Sequence, residues 1–386
     1  MTGNIKKSGI SHNNRISVFA KKNKMKNPEI KMSPAKLFFL ILLAALTTFG
    51  FMNSCTPQSK DAEHGNSYAM VIHGGAGVRA RTEMTPELEK DYRTELEKSL
   101  NAGFKILEEG GASVEAVEAA IRVMEDSPLF NAGKGASFTR EGKNELDASI
   151  MNGKTLRAGG LGAVKGVKNP ISLARMVMEQ TPHVLLVDQG ALAFAKEMGV
   201  ELMPEEYFYT ERQWNSLQRR LKEEIPYGTA MPTEPGDTAD SASSGDAGLF
   251  DTVGAVALDK EGNLAAGTST GGRVKKRPGR VGDSPIIGAS TYANNNTCAV
   301  STTGLGEKHM VLLTAKEISA LLDHKGMDIE EAVRNVLLEQ LVAIGGSGGV
   351  ISIDKNGKIA WAFTTNGMYR GYIKPDGKAV VKIYDD

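Results

Sequence analysis

A threonine hydroxyl becomes a nucleophile only when a base takes its proton, and a chain terminus lets one residue supply both parts. Thr252, in FDTVGAVALD (residues 250–259), stands where a polar Gly/Ser/Pro-rich stretch meets an apolar strand-like run. The chain can be cut there without breaking a core. Cleavage of the Asp251–Thr252 bond would give Thr252 a free α-amine beside its own hydroxyl. An α-amine has a reference pKa of about 7.7–8.0, so near neutrality a useful fraction is unprotonated and able to act as the base. No HExxH or CxxC spacing occurs that would point instead to a metal-ligand set.

The elements that would position Thr252 are read from periodicity and punctuation. YAMVIHGGAG (68–77) is expected to be a buried strand running into a glycine turn. Thr85 followed by Pro86 starts a helix with apolar residues at Leu88, Leu96, Leu100, Phe104 and Leu107, ending at Gly110 and Gly111. Ser113 is expected to cap a second helix through Met124, stopped by Pro128. SFTREGKNELDASIMNG (137–153) reads as two strands around a Glu-Gly-Lys-Asn turn. Helices are expected near 171–179 and 191–198, with a charged helical piece at 211–224. The stretch that follows is rich in Pro, Ser, Gly and Asp, and a mobile linker is assigned to about 203–251. Beyond it come a hairpin of TVGAVALD and LAAGTST, a strand at 297–304, helices at 312–322 and 329–344, and a last hairpin from GVISID to KIAWAFTT. Grouped strands flanked by helices imply a layered α+β sandwich.

Charge and hydropathy divide the chain. Residues 1–55 hold nine Lys/Arg and one acid (Glu29), so the rest carries 37 basic against 45 acidic residues. A mildly acidic body with no basic stripe argues against nucleic acid as a partner. The leader has a basic start, a fifteen-residue apolar run at 37–51 and then MNSC ending at Cys55. A bilayer span needs about 20 apolar residues, so the run suits an export signal better than a permanent anchor. Cys55 is the candidate lipidation site, with Met25 and Met32 as alternative starts and an uncleaved anchor as the other reading. The expected organisation is an export signal at 1–55, a tether at 56–67, an α piece at 68–251 and a β piece at 252–386, the last two forming one catalytic domain. The location expected is periplasmic or membrane-tethered. The other cysteine is Cys298, so a chain lipidated on Cys55 holds no internal disulfide.

FDTVGAVALDKEGNLAAGTSTGG, RPGRVGDSPIIGASTYANN and STTGLGE, with HGGAG, FNAGKGASFTREGKNELDASIMNG and GGSGGVISID, occur in order over 68–372. This set resembles the N-terminal-nucleophile amidohydrolases of the plant-type asparaginase/isoaspartyl peptidase family. The resemblance implies a four-layer αββα fold, a precursor that cuts itself before Thr252, and an (αβ)2 assembly. It implies hydrolysis of β-aspartyl peptide bonds and of the L-asparagine side-chain amide, with no required cofactor. Thr270 corresponds to a threonine that hydrogen-bonds near the nucleophile. Arg280 and Asp283, with Val281 and Gly282 between them, match the clamp on the substrate's α-carboxylate and α-amine. An Arg fork suits a carboxylate and an Asp an ammonium. Thr303 and Gly304 match the oxyanion-binding pair, and Leu305 and Gly306 continue that substrate-binding loop. Asn131 either holds the segment before Thr252 or lines the pocket, and His73 is read as structural. A structural monovalent cation near 125–135 is a further implication. The departure is Asp251, where family members often carry Gly and the related glycosylasparaginases commonly carry Asp.

Three rival readings compete. Glycosylasparaginase would share Thr252, Arg280 and Asp283 and differ in the leaving group. A serine hydrolase would use HGGAG as an oxyanion motif and Ser269 of GTSTG (267–271) as nucleophile, but that elbow needs a helix after the turn. The sequence there, RVKKRPGRVGD, carries Pro278 and two glycines. A non-enzymatic surface lipoprotein would have no need of Thr252, Thr270, Arg280 and Asp283 together.

Overall fold

Strand β1 (Ala69–Gly75) is buried along its whole length, and its alternate side chains enter two different cores. Met70 and Ile72 join one apolar cluster, while Ala69 and Val71 join another. The two-residue period of a strand makes this division unavoidable once both faces are covered. The computed structural model describes residues 67–222 and 252–385. All of these lie in one compact unit, His64–Asp386. The export signal, Cys55, most of the tether and Asp251 lie outside the described residues.

The other strands are β2 (Leu146–Asn152), β3 (Ala158–Val164), β4 (Leu185–Val187), β5 (Val253–Leu258), β6 (Leu264–Thr270), β7 (Thr291–Ala293), β8 (Cys298–Gly304), β9 (Gly348–Asp354), β10 (Ile359–Phe363), β11 (Tyr369–Ile373) and β12 (Val380–Lys382). Among the described residues they form an eight-stranded sheet, ordered β12-β11-β1-β5-β6-β2-β3-β4, and a four-stranded sheet, β10-β9-β8-β7. Strand β5 is antiparallel to β1, with His73 opposite Gly254, and antiparallel to β6, with Val253 opposite Ser269.

Helices α1 (Pro86–Glu108), α2 (Ser113–Glu125), α3 (Pro170–Gln180) and α4 (Asp188–Glu197) contribute to the first cluster on the large sheet. There Leu96, Leu100, Val117 and Ile121 share a core with Val253, Ala255 and Ala257 of β5. Between the sheets, Val256, Leu258 and Ala266 meet Ala299, Ile351 and Ile353. On the far face, Val300 and Val350 meet Ile318, Leu321, Val333 and Leu337 from α7 (Thr314–Lys325), α8 (Ile329–Arg334) and its π-helical continuation, Asn335–Leu341. Three cores therefore separate four layers, helix–sheet–sheet–helix, the αββα sandwich expected.

Several local expectations are corrected. Ala112, not Ser113, is the N-cap of α2; Ser113 is its first residue, and its N–H donates to Asp259 Oδ2 at 3.0 Å. That carboxylate supplies negative charge at the positive end of the helix. The first strand expected in 137–153 is reduced to two isolated bridges, Phe138 with Asn144 and Thr139 with Lys276; β2 pairs instead with β3 and β6. Strand β3, AGGLGAV, is glycine-rich because α3 lies directly on it: a Cβ at Gly159 would sit 2.1 Å from the Ala174 carbonyl oxygen. The helix expected at 312–322 is two helices, α6 (Gly306–Leu312) and α7, separated by Leu313 in the left-handed region at φ 54°. Residues 203–222 are folded rather than linker: a 3-10 turn at Glu205–Phe208 precedes α5 (Glu211–Lys222), and Phe208, Gln213 and Leu217 are buried. The rest of the linker assignment, 223–251, lies outside the described residues.

Candidate active site

Thr252 immediately precedes β5, the strand between β1 and β6. It is almost buried, 8% exposed. Its hydroxyl donates to Thr270 Oγ1 at 3.1 Å, and Thr270 Oγ1 also accepts the Gly272 N–H at 3.0 Å. Thr270 ends β6 with its neighbour Asp147 on β2, so the sheet ladder fixes where its hydroxyl sits.

The Thr252 backbone is held from the other side. His73 Nδ1 donates to the Thr252 carbonyl at 3.0 Å, and His73 Nε2 lies 3.0 Å from Ser301 Oγ. Because a carbonyl only accepts, Nδ1 carries the proton and Nε2 receives the Ser301 hydroxyl. Burial pushes the His73 pKa down to about 3, outweighing the opposing Thr252 carbonyl bond, so the ring is neutral. Both ring nitrogens are occupied, and neither hydrogen-bonds the Thr252 hydroxyl.

Behind His73 runs a seam of buried hydroxyls. Ser301 Oγ is 2.7 Å from Thr268 Oγ1, which accepts from Thr291 at 2.7 Å and lies 3.4 Å from Ser290 Oγ. Thr302 Oγ1 is 3.0 Å from Ser290 Oγ and 3.1 Å from Asp283 Oδ2. Hydrogen bonds thus connect the Thr252 carbonyl to the Asp283 carboxylate between the two sheets. Thr303, adjacent to Thr302, is fully buried, and Gly304 closes β8 at φ 141°.

Arg280 and Asp283 are brought to the same loop end. Arg280 donates from Nε at 3.1 Å and from Nη2 at 2.9 Å to Glu307 Oε1. Burial opposes ionisation of Glu307, but the charges of Arg280 and Arg273 outweigh it and hold its pKa below the usual carboxylate value. Gly282 and Gly306 allow this packing: a Cβ at Gly282 would meet Arg280 Nη1 at 2.8 Å, and one at Gly306 would meet Asp283 Oδ1 at 2.7 Å. Leu305 is pinned by its N–H to the Ser347 carbonyl at 2.8 Å. Val281 packs toward Gly162 of β3, away from this cluster. Asn131 donates to the Gly272 carbonyl at 2.7 Å and accepts from the Ser137 N–H at 2.7 Å, so it braces the turn after Thr270.

Ser269 does not join the site. It is on the opposite face of β6 from Thr270, fully buried, with its hydroxyl donating to Glu125 Oε1 at 2.6 Å. Strand alternation alone removes the serine-hydrolase reading. Glu125 also accepts the Ile171 N–H at 3.0 Å, and burial raises its pKa to about 8. No group of three or more His, Cys, Asp or Glu side chains is placed to hold a metal among the described residues. Glu307, Thr302, Ser301 and His309 were given no role in the sequence reading. The signal for Glu307 was present in STTGLGE: an acid beside a loop whose neighbour carries Arg280.

Comparisons with known proteins identify the family. The family model described as asparaginase matches residues 66–383. The chain is 45% identical over 303 residues to an isoaspartyl peptidase of Escherichia coli (strain K12), covering 78% of this chain and 92% of that protein. It is 40% identical over 309 residues to an isoaspartyl peptidase/L-asparaginase of Bos taurus, covering 80% and 94%. A probable isoaspartyl peptidase/L-asparaginase 2 of Arabidopsis thaliana is 38% identical over 329 residues, covering 82% and 99%. With an αββα sandwich, a threonine at the start of a central strand and a match across most of its length, the chain belongs to the asparaginase family.

Proposed function

We propose that this chain is a self-cleaving amidohydrolase that hydrolyses β-aspartyl peptide bonds and the side-chain amide of L-asparagine. The observation that carries the reading is the Thr252–Thr270 hydroxyl contact of 3.1 Å at the head of β5, in a chain whose similar proteins are isoaspartyl peptidases. Cleavage before Thr252 creates the α-amine. The amine takes the hydroxyl proton as Oγ1 attacks the substrate's β-carbonyl carbon, with Thr270 orienting that hydroxyl. Negative charge then develops on the carbonyl oxygen, where the Thr303 hydroxyl and the Gly304 N–H stabilise it; losing one such donor costs about 3 kcal/mol of barrier. The departing amine takes the proton from the α-ammonium. Water, deprotonated by the Thr252 α-amine, then attacks the ester carbonyl, and the amine returns that proton to Oγ1 as aspartate leaves.

Arg280 and Asp283 define the substrate. A free α-carboxylate on Arg280 and a free α-ammonium on Asp283 leave the β-carbonyl to face Thr252. An α-aspartyl peptide has its α-carboxyl already in a bond, so it forfeits the Arg280 contact. The leaving group lies outside this clamp, which leaves ammonia, an amino acid or a sugar amine to be separated by experiment.

Self-association as (αβ)2 is supported by exposed apolar side chains: Val184, Leu185 and Val187 on or beside the edge strand β4, and Val311, Leu313, Val342 and Ile344. Export with lipidation of Cys55, and a monovalent cation near 125–135, remain parts of the same reading. Cys55→Ala should release the protein from the membrane fraction, and unchanged association would favour an uncleaved anchor.

Two measurements test the core of the reading. Intact mass should show two pieces, meeting between Asp251 and Thr252, with Thr252→Ala remaining whole. A panel of β-aspartyl dipeptides, L-asparagine, α-aspartyl dipeptides and N-glycosylated asparagine should favour the first two substrates. Full activity in an uncut chain would sink the mechanism, and activity confined to the glycosylated substrate would make the chain a glycosylasparaginase.

A further inference from the structure

His309, on α6, is fully buried, and only one of its ring nitrogens has a partner. Nδ1 lies 3.0 Å from Thr314 Oγ1 at the start of α7. Nε2 faces the end of β8, next to the Thr303 carbonyl, in an approach that falls short of full hydrogen-bond geometry. How closely the ring presses on this backbone is shown by two glycines. A Cβ at Gly304 or at Gly348 would come within 2.9 Å of Nε2. Both glycines also have positive φ, 141° and 156°, so position and conformation together restrict these sites to glycine.

The tautomer follows from what surrounds the ring. Burial lowers the His309 pKa, against the opposing influence of Asp283 and the Thr303 carbonyl, so the imidazole is neutral. A proton on Nδ1 would leave a bare lone pair on Nε2 facing a carbonyl oxygen, two acceptors together. A proton on Nε2 points a donor at that carbonyl, and the Thr314 hydroxyl then donates to Nδ1. The second arrangement leaves neither nitrogen opposed.

We propose that His309 is a positioning residue for the oxyanion: its Nε2–H polarises the Thr303 carbonyl, and so strengthens the Gly304 N–H at the other end of the same peptide group. Hydrogen bonds reinforce one another along a polarised chain, and the effect is larger where water is excluded. The gain falls on the transition state, because the oxyanion carries more charge than the substrate carbonyl. This inference rests on the reading of Thr303 and Gly304 as oxyanion donors.

The test uses three variants of the full chain, with rates expressed per cleaved protein. Gln carries an amide about as far as imidazole Nε2, whereas Asn reaches only the Nδ1 position and Phe fills the space with no polar atom. His309→Phe and His309→Asn should lower kcat about tenfold with KM changed less than about twofold, while His309→Gln keeps most of the rate. A wild-type kcat in His309→Phe overturns the proposal, as does an equal loss in all three variants accompanied by lower melting temperatures. If the Phe variant does not fold, the Asn and Gln pair decides in the same way. Thr303→Val separates this inference from the reading beneath it. A large loss there with none in His309→Phe overturns the role of His309 alone. An unchanged kcat in Thr303→Val overturns the oxyanion reading and the role of His309 with it.

Discussion

Arg280 meets Glu307 through a single oxygen: Nε and Nη2 both donate to Oε1, at 3.1 and 2.9 Å. The second oxygen, Oε2, lies 3.9 Å from Arg273 Nη1. Two guanidinium charges thus share one carboxylate, and the trio keeps a net positive charge, which under the proposed function would receive the substrate's carboxylate. Glu307 fixes which edge of Arg280 remains for substrate.

Removing that brace should affect binding first. Glu307→Ala should raise KM about tenfold, equivalent to about 1.4 kcal/mol, with a smaller change in kcat. Glu307→Gln keeps an acceptor at the same place and should stay within about threefold of wild type. Steady-state kinetics on a β-aspartyl dipeptide read both values. Equal losses in the two variants would mean that charge, rather than orientation, is what Glu307 supplies.

Thr270→Val replaces one methyl-sized hydroxyl beside the nucleophile while keeping the β-branched shape that suits β6. We expect kcat to fall about a hundredfold, about 2.7 kcal/mol, because the hydroxyl that orients Thr252 is lost. The melting temperature should move little. Single-turnover kinetics on the cleaved protein would expose the effect on acylation, and a rate within a few-fold of wild type would remove Thr270 from the mechanism.

His73 gives a pH dependence whose sign is fixed. Its folded pKa, about 3, lies below the ordinary histidine value of about 6.5, so between these limits the unfolded chain binds more protons. Stability from neutral His73 is therefore complete above about pH 6.5 and is lost as pH falls toward 3, at up to about 1.4 kcal/mol per pH unit. His309, shifted in the same direction, adds to the slope. His73→Asn retains a donor for the Thr252 carbonyl but does not titrate. It should be less stable than wild type at neutral pH and lose less on acidification. Denaturant melts from pH 7 to pH 4 measure this, and parallel curves would assign the acid sensitivity elsewhere.

Ser269→Ala discriminates between two nucleophiles. With Ser269 facing the helical layer, the variant should keep more than about half of wild-type kcat. Its stability should fall by about 1–3 kcal/mol, since Glu125 loses a buried partner. Abolished activity in a folded Ser269→Ala protein would contradict the placement of Thr252 at the site.

Much of this architecture was legible in the chain. Apolar runs bounded by turn residues located β1, β5, β6, β8 and β9, and Thr85-Pro86 located the start of α1, where Thr85 Oγ1 accepts the Leu88 N–H at 3.2 Å. Strand β3 was not legible, because its glycines serve contact with α3 and resemble a loop when read locally. Strands β11 and β12 are short; β11 pairs with β1, some 300 residues away, and β12 is only three residues added to its edge, so no local signal marks them. At the site, Thr252, Thr270, Arg280 and Asp283 were visible through their motifs. The hydroxyl seam was not: Ser149, Thr268, Thr291, Ser301 and Thr302 are ordinary strand residues, and Ser290 an ordinary turn residue, until the fold brings them together.

The order of the large sheet has a consequence for the life history of the protein. Strands β5 and β6 come after the 251–252 bond in sequence, yet they are hydrogen-bonded on one side to β1 and on the other to β2, which come before it. Once that bond is broken, neither piece can leave without stripping the centre of the sheet, so a nicked molecule persists as one object. Folding, by contrast, was a unimolecular event for the intact precursor. After the cut it becomes an encounter between two incomplete chains, each exposing its part of the two cores that both pieces build. The mature enzyme would then be a product of its own history, durable while folded and unable to re-form efficiently from dilute, denatured pieces.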